Sequence, residues 1–142
     1  MGSRDIHTAE ADLLRAIRES IGNFINTADD VITLVIISFS DGTTIFSSSN
    51  SGNVVNEFLS SSSSAISEIG LSFLEYSGMG SLGEVILRGE RGYVIIRKLD
   101  EDVVLALGTL SRDLDKSLRL VDELERILLR VAEENKEKLI LE

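Results

Sequence analysis

The chain's 142 residues offer one histidine, His7, and no cysteine, and its many carboxylates stand in positions that argue against catalysis. A Ser-His-Asp triad or a histidine metal site would have to recruit that one residue, from a polar N-terminal stretch that reads as solvated. Without cysteine there are no thiolate metal sites, disulfides or thiol nucleophiles. Carboxylates are abundant, but most alternate with cations, as in Asp122, Glu123, Glu125, Arg126 and Arg130, the pattern of a solvated helix face. Asp29-Asp30 and Asp100-Glu101-Asp102 are turn clusters, and neither has the alternating ligands and closing Glu of a calcium loop. Gly78-Met79-Gly80-Ser81-Leu82-Gly83 satisfies G-x-G-x-x-G. That motif holds a pyrophosphate only between a strand and a following helix, and here a helix precedes it and a strand follows. It reads instead as a helix C-cap and turn. There is no P-loop. The expectation is a chain without catalytic residues, metal or cofactor.

Composition narrows the partners. A net charge of −10 opposes nucleic-acid binding. Before residue 80 the only basic residues are Arg4, Arg15 and Arg18; the others lie between Arg88 and Lys98 and along the last predicted helix. No apolar run approaches the roughly 18 residues of a membrane span, and no signal-peptide core follows Met1. With no cysteine, a cytoplasmic location is expected. Apolar content of 43% supports a proper core and leaves apolar surface to be covered.

The elements follow from periodicity. Residues 8–27 carry Leu14, Ile17, Ile21 and Phe24 at three- and four-residue steps, an amphipathic helix. The β-branched run Val31 to Phe39 predicts a central strand covered on both faces. Asp41-Gly42 predicts a two-residue hairpin turn into a strand over Thr43–Phe46, followed by a polar loop over Ser47–Asn53. From Val54 to Tyr76 a helical period runs through Ser60–Ser64. Five serines alone suggest a linker; the unbroken period on both sides predicts a helix with a small-residue waist. Strands Leu82–Arg88, Tyr93–Lys98 and Val103–Thr109 form a meander with short turns. The last helix starts at Ser111 or Asp113 and runs to about Lys138. The fold class is α/β (α+β): one domain over residues 1–142, core about 8–138, with a five-stranded mostly antiparallel sheet, helices on both faces, and order α-β-β-α-β-β-β-α.

That order, the apolar first strand ending in Ser40-Asp41-Gly42, the small-residue central helix and the stretch Gly83 to Tyr93 resemble the roadblock family, named after a dynein light chain and related to profilin-like folds. The resemblance covers roughly residues 8–135 and is closest to free-standing prokaryotic members, archaeal or bacterial. It implies a homodimeric scaffold, binding and regulating a Ras-like small GTPase, in which central helices pack together and the following strand pairs across the two-fold. The residues support a dimer independently. The central helix is apolar on more than one side, and Leu82–Arg88 lacks the Pro or Lys that protects an exposed edge. The expected interface comprises Val55, Phe58, Leu59, Ser62, Ile66, Leu82, Val85 and Leu87. Arg88, Arg91, Arg97 and Lys98 form a candidate partner-binding group. Two rival functions are a small-molecule-sensing profilin-like module and a GTPase-activating protein supplying an arginine to a bound GTPase. Incubated alone with GTP or ATP, the pure protein is expected to show no turnover above buffer; hydrolysis would overturn the scaffold reading.

Overall fold

The computed structural model describes residues 2–28, 31–49 and 53–141, with side chains over 10–28, 31–49 and 55–135. The elements are α1 (Gly2–Thr27), β1 (Ile32–Phe39), β2 (Thr44–Ser49), α2 (Asn53–Tyr76), β3 (Val85–Arg88), β4 (Tyr93–Lys98), β5 (Val103–Thr109) and α3 (Leu114–Leu141). Order and number match the expectation; several boundaries move. Helix α1 begins at Gly2. Strand β2 continues to Ser49, because its polar residues still pair with β1: Ser47, Ser48 and Ser49 oppose Ile36, Val35 and Leu34. Strand β3 starts at Val85, not Leu82. The Asp29-Asp30 break and Asn50 to Gly52 lie outside the described residues, as does the side chain of His7.

The chain forms two compact units, residues 31–118 and a pair made of α1 with α3 from Arg119 onward. In the first, the sheet order is β2-β1-β5-β4-β3 and all four pairings are antiparallel. Strands β2 and β3 are therefore the two edges. Helix α2 connects them and touches all five strands. On its face of the sheet Ile36, Ile96, Val104 and Ala106 form a buried cluster, joined by Leu34, Val85 and Val94 of the strands and Leu59 and Ile66 of α2. Each such aliphatic side chain contributes about 1.5–3 kcal/mol when fully buried. Their neighbours in sequence, Val35, Ile37, Ile95, Leu105 and Leu107, are buried on the opposite face. Burial on both faces is why β1 and β5 read as continuous apolar runs rather than alternating ones.

The serine run is helical, and it faces inward. Ser60, Ser63, Ser64 and Ser67 are buried. Thr44 Oγ1 donates to Ser60 Oγ at 2.6 Å, Ser64 Oγ donates to the Phe39 carbonyl at 2.9 Å, and Ser38 and Ser64 share a hydrogen bond of 3.2 Å. Small hydroxylic side chains let α2 lie close to the strands, and the hydroxyls of Ser60, Ser63 and Ser64 all find partners. A Cβ added to Gly70 would come within 3.1 Å of Val85 Cγ2, so the close approach extends down the helix to β3.

Turns and caps fix the ends. Gly42 takes φ 93° in the β1–β2 turn, where Phe39 N donates to the Thr43 carbonyl at 2.8 Å and closes a loop of three residues rather than the expected two, Ser40 joining Asp41 and Gly42 in it. Asp41 Oδ1 accepts the Thr43 amide at 2.9 Å, which holds its carboxyl below the usual range, chiefly through that backbone bond. Its folded value lying below the unfolded one, the associated stabilisation is present at neutral pH and disappears as pH falls through the folded value. The C-cap expected at Gly78 is present: Gly78 has φ 75° and Met79 N donates to the Leu74 carbonyl at 2.8 Å, a Schellman arrangement. Asp113, not Ser111, caps α3, its Oδ1 accepting the Lys116 amide at 3.1 Å. In the helix pair, Ile21 and Phe24 of α1 and Val121, Leu124, Leu128 and Val131 of α3 are buried, while Leu14 is 40% exposed.

Among the described residues, Ser67 Oγ is the buried side-chain polar atom without a hydrogen-bond partner. Ser67→Ala removes that hydroxyl without changing shape, and denaturant melts are expected to show unchanged or higher stability, by up to about 1 kcal/mol. Gly92→Ala is expected to do the reverse. Its Cβ would sit 1.8 Å from the Thr109 carbonyl oxygen, and overpacking of this kind costs about 3 kcal/mol.

Candidate interaction surface

Laid on a helical wheel, α2 has three faces. One, with Asn56, Ser60, Ser63, Ser67 and Gly70, meets the sheet; Leu59 and Ile66 flank it and pack into the core. A second carries Glu57, Glu68 and Glu75. The third is an exposed stripe of Val55, Phe58, Ser62, Ala65, Ile69, Ser72 and Tyr76, spaced alternately by three and four residues. Such spacing is the seam of a helix that packs against another helix. Phe58 is 67% exposed and Ile69 66%; Phe73, beside the seam, is 75% exposed. Met79 follows just past the helix end. The ends of the stripe are bulky and its middle, Ser62 and Ala65, is small.

Beside this stripe runs the outer edge of β3, which pairs with β4 alone. Gly70 of α2 abuts Val85 and Leu82 there, and Ile86 and Leu87 are exposed. Among the described residues, eight of the twelve exposed large apolar side chains belong to this region: Val55, Phe58, Ile69, Phe73, Tyr76, Met79, Ile86 and Leu87. Apolar surface this concentrated marks an interaction site rather than scattered exposure.

The eight expected interface residues divide. Val55, Phe58 and Leu87 are exposed and Ser62 is half-buried on the outward stripe. Leu59, Ile66 and Val85 pack against the core of their own sheet, because the apolar period of α2 serves two faces at once. Leu82 lies in the loop against Gly70. The close-packing serines belong mainly to the sheet side, so of the waist only Ser62 lies on the stripe. Ile69, Phe73, Tyr76, Met79 and Ile86 complete the surface; the three-four spacing from Val55 to Tyr76 was the signal for most of them.

The basic group divides as well. Arg97 Nε and Nη2 each reach Glu84 Oε1 at 2.8 Å, and Lys98 Nζ lies 3.5 Å from Glu68 Oε1, linking β4 to α2. Both cations thus have structural partners. Arg88 and Arg91 are exposed around the β3–β4 turn. There Arg112, which the sequence left unremarked, joins Arg88 in lining a shallow groove with Gly89, Glu90, Gly92 and Tyr93. A second polar groove lies between the β1–β2 turn and α2, lined by Asp41, Thr43, Thr44, Asn56, Glu57 and Ser61 among others. Among the described residues no three His, Cys, Asp or Glu side chains come together as a metal site, and no helix is long and apolar enough to cross a membrane.

No protein-family model matches the chain, and no curated protein sequence matches it significantly. Solved structures do. MglB of Myxococcus xanthus superposes with a TM-score of 0.73 at 15% identity, covering 86% of this chain and 91% of that one. The gliding protein MglB of Thermus thermophilus gives 0.70 at 14%, covering 86% and 92%. A Roadblock/LC7 domain from Streptomyces avermitilis gives 0.57 at 12%, covering 78% and 87%. The chain has the roadblock/LC7 fold found in these bacterial proteins.

Proposed function

We propose that this chain is a non-catalytic scaffold that dimerises through the outward stripe of α2 and the free edge of β3, and in that form binds and regulates a Ras-like small GTPase in the cytoplasm. The observation that carries the first half is the coincidence of a heptad-spaced apolar stripe with an adjacent unpaired strand edge. The stripe is symmetric in sequence about a point between Ser63 and Ser64. Laid antiparallel on a second copy, Phe58 meets Ile69 of that copy, Ser62 meets Ala65, and Val55 meets Ser72 beside Phe73. Large residues then pack at both ends of the contact and small ones at its centre, a self-complementary arrangement suited to a two-fold axis. Edge pairing of β3 alongside would satisfy the backbone groups left open there. That MglB has been solved in a tetrameric arrangement supports association as a property of this fold.

A GTPase partner is supported by likeness of fold to the MglB proteins and by the roadblock resemblance of the sequence. Light scattering at micromolar concentration is expected to give about twice 15.5 kDa. Phe58→Asp, on an exposed position, is expected to give a monomer with an unchanged helical signal. A wild-type monomer would remove the interface. For the partner, pulldowns with nucleotide-loaded GTPases are expected to retain at least one in a single nucleotide state; failure of all of them in both states would remove the GTPase and leave the dimer standing.

A further inference from the structure

We propose that the groove beside the β3–β4 turn docks carboxylate side chains of an acidic protein segment. The turn is built to hold its arginines in place. Gly89 N donates to the Gly92 carbonyl at 2.8 Å, closing a two-residue loop of Glu90 and Arg91. Gly92 has no room for a side chain because the Thr109 carbonyl lies where a Cβ would be. That close approach presses the turn against the end of β5, from which the chain leads within three residues to Arg112. The Tyr93 hydroxyl, 3.4 Å from the Arg112 carbonyl oxygen, donates to it and joins the two segments. Arg88 and Arg112 thereby line one groove, with Tyr93, Arg88's cross-strand partner, between the two segments.

Among the described residues neither these two guanidiniums nor that of Arg91 enters an ion pair, whereas Arg97 and Lys98 each do. Three unpaired arginines around one turn are conspicuous in a chain of net charge −10. The guanidinium fork matches a carboxylate with two parallel hydrogen bonds. Glu90 lines the same groove; its charge and the acidic remainder of the chain oppose the charge concentrated on one polyphosphate more than single carboxylates spaced along a peptide. The groove is shallow and is lined by Tyr93 as well as by charged side chains, so an aromatic ring lies next to the charges, as a peptide segment requires. The site goes beyond the GTPase reading and stands or falls separately from it.

The test uses the full-length ¹⁵N-labelled protein titrated with an acetylated Glu-Glu-Leu-Glu peptide and, separately, with pyrophosphate. The peptide is expected to shift amides of residues 88–93 and 110–112 saturably, and added salt to weaken it. Arg88→Gln and Arg112→Gln are each expected to weaken binding about tenfold, a change of about 1.4 kcal/mol, with amide spectra elsewhere unchanged. Should either disturb the fold, Arg88→Lys keeps the charge without the fork and is expected to weaken binding too. Glu90→Gln is expected to tighten it about threefold. Absent shifts, shifts confined to another surface, indifference to the arginine substitutions, or tighter binding of pyrophosphate than of peptide at these residues would each overturn the proposal.

Discussion

The short distance between α2 and its sheet is the constraint on which the rest of the 31–118 unit depends. A helix that must run from one sheet edge to the other, touching every strand, has either to interdigitate bulky side chains or to present small ones. This chain does both. Leu59 and Ile66 reach into the aliphatic cluster at one flank, while serines and Gly70 occupy the line of closest approach. The hydroxyls that come with small residues are buried, and nearly all find partners on β1, β2 or the helix itself. Polar atoms inside a core are stabilising only when paired, so the seam defines one seating of the helix rather than several.

That seating determines what remains outside. With the serine side turned to the sheet, the apolar residues left over from the helical period form an outward stripe, and the same placement sets the stripe beside the free edge of β3. Contact with the sheet and the apolar stripe proposed to meet a second copy thus both follow from one periodicity. The helix carries more apolar residues than a one-faced amphipathic helix needs, and the surplus is spatially ordered.

Much of this was legible in the sequence. The doubly buried β1, the Asp41-Gly42 turn, the C-cap at Gly78 and the eight-element order all follow from local rules that the fold does not override. Other features were not legible, for physical reasons. Ser47 to Ser49 look like loop because their strand character comes from pairing with β1, not from their side chains. That Leu59, Ile66 and Val85 pack on their own sheet was not legible because periodicity reports that a face is apolar, not what it lies against. Arg112 is 20 residues or more from Arg88 and Arg91, and only the close passage of Gly92 against Thr109 brings it to the same groove.

The claim that a second α2 covers the stripe in antiparallel register is tested most directly by thiol cross-linking, which the absence of native cysteine makes clean. Phe58→Cys and Ile69→Cys proteins are prepared separately, mixed, allowed to exchange subunits and oxidised. The heterologous 58–69 disulfide is expected to dominate over the 58–58 and 69–69 species. A preference for the two self-linked species would show a parallel pairing, and an absence of any cross-link would show that this face of α2 does not meet another copy.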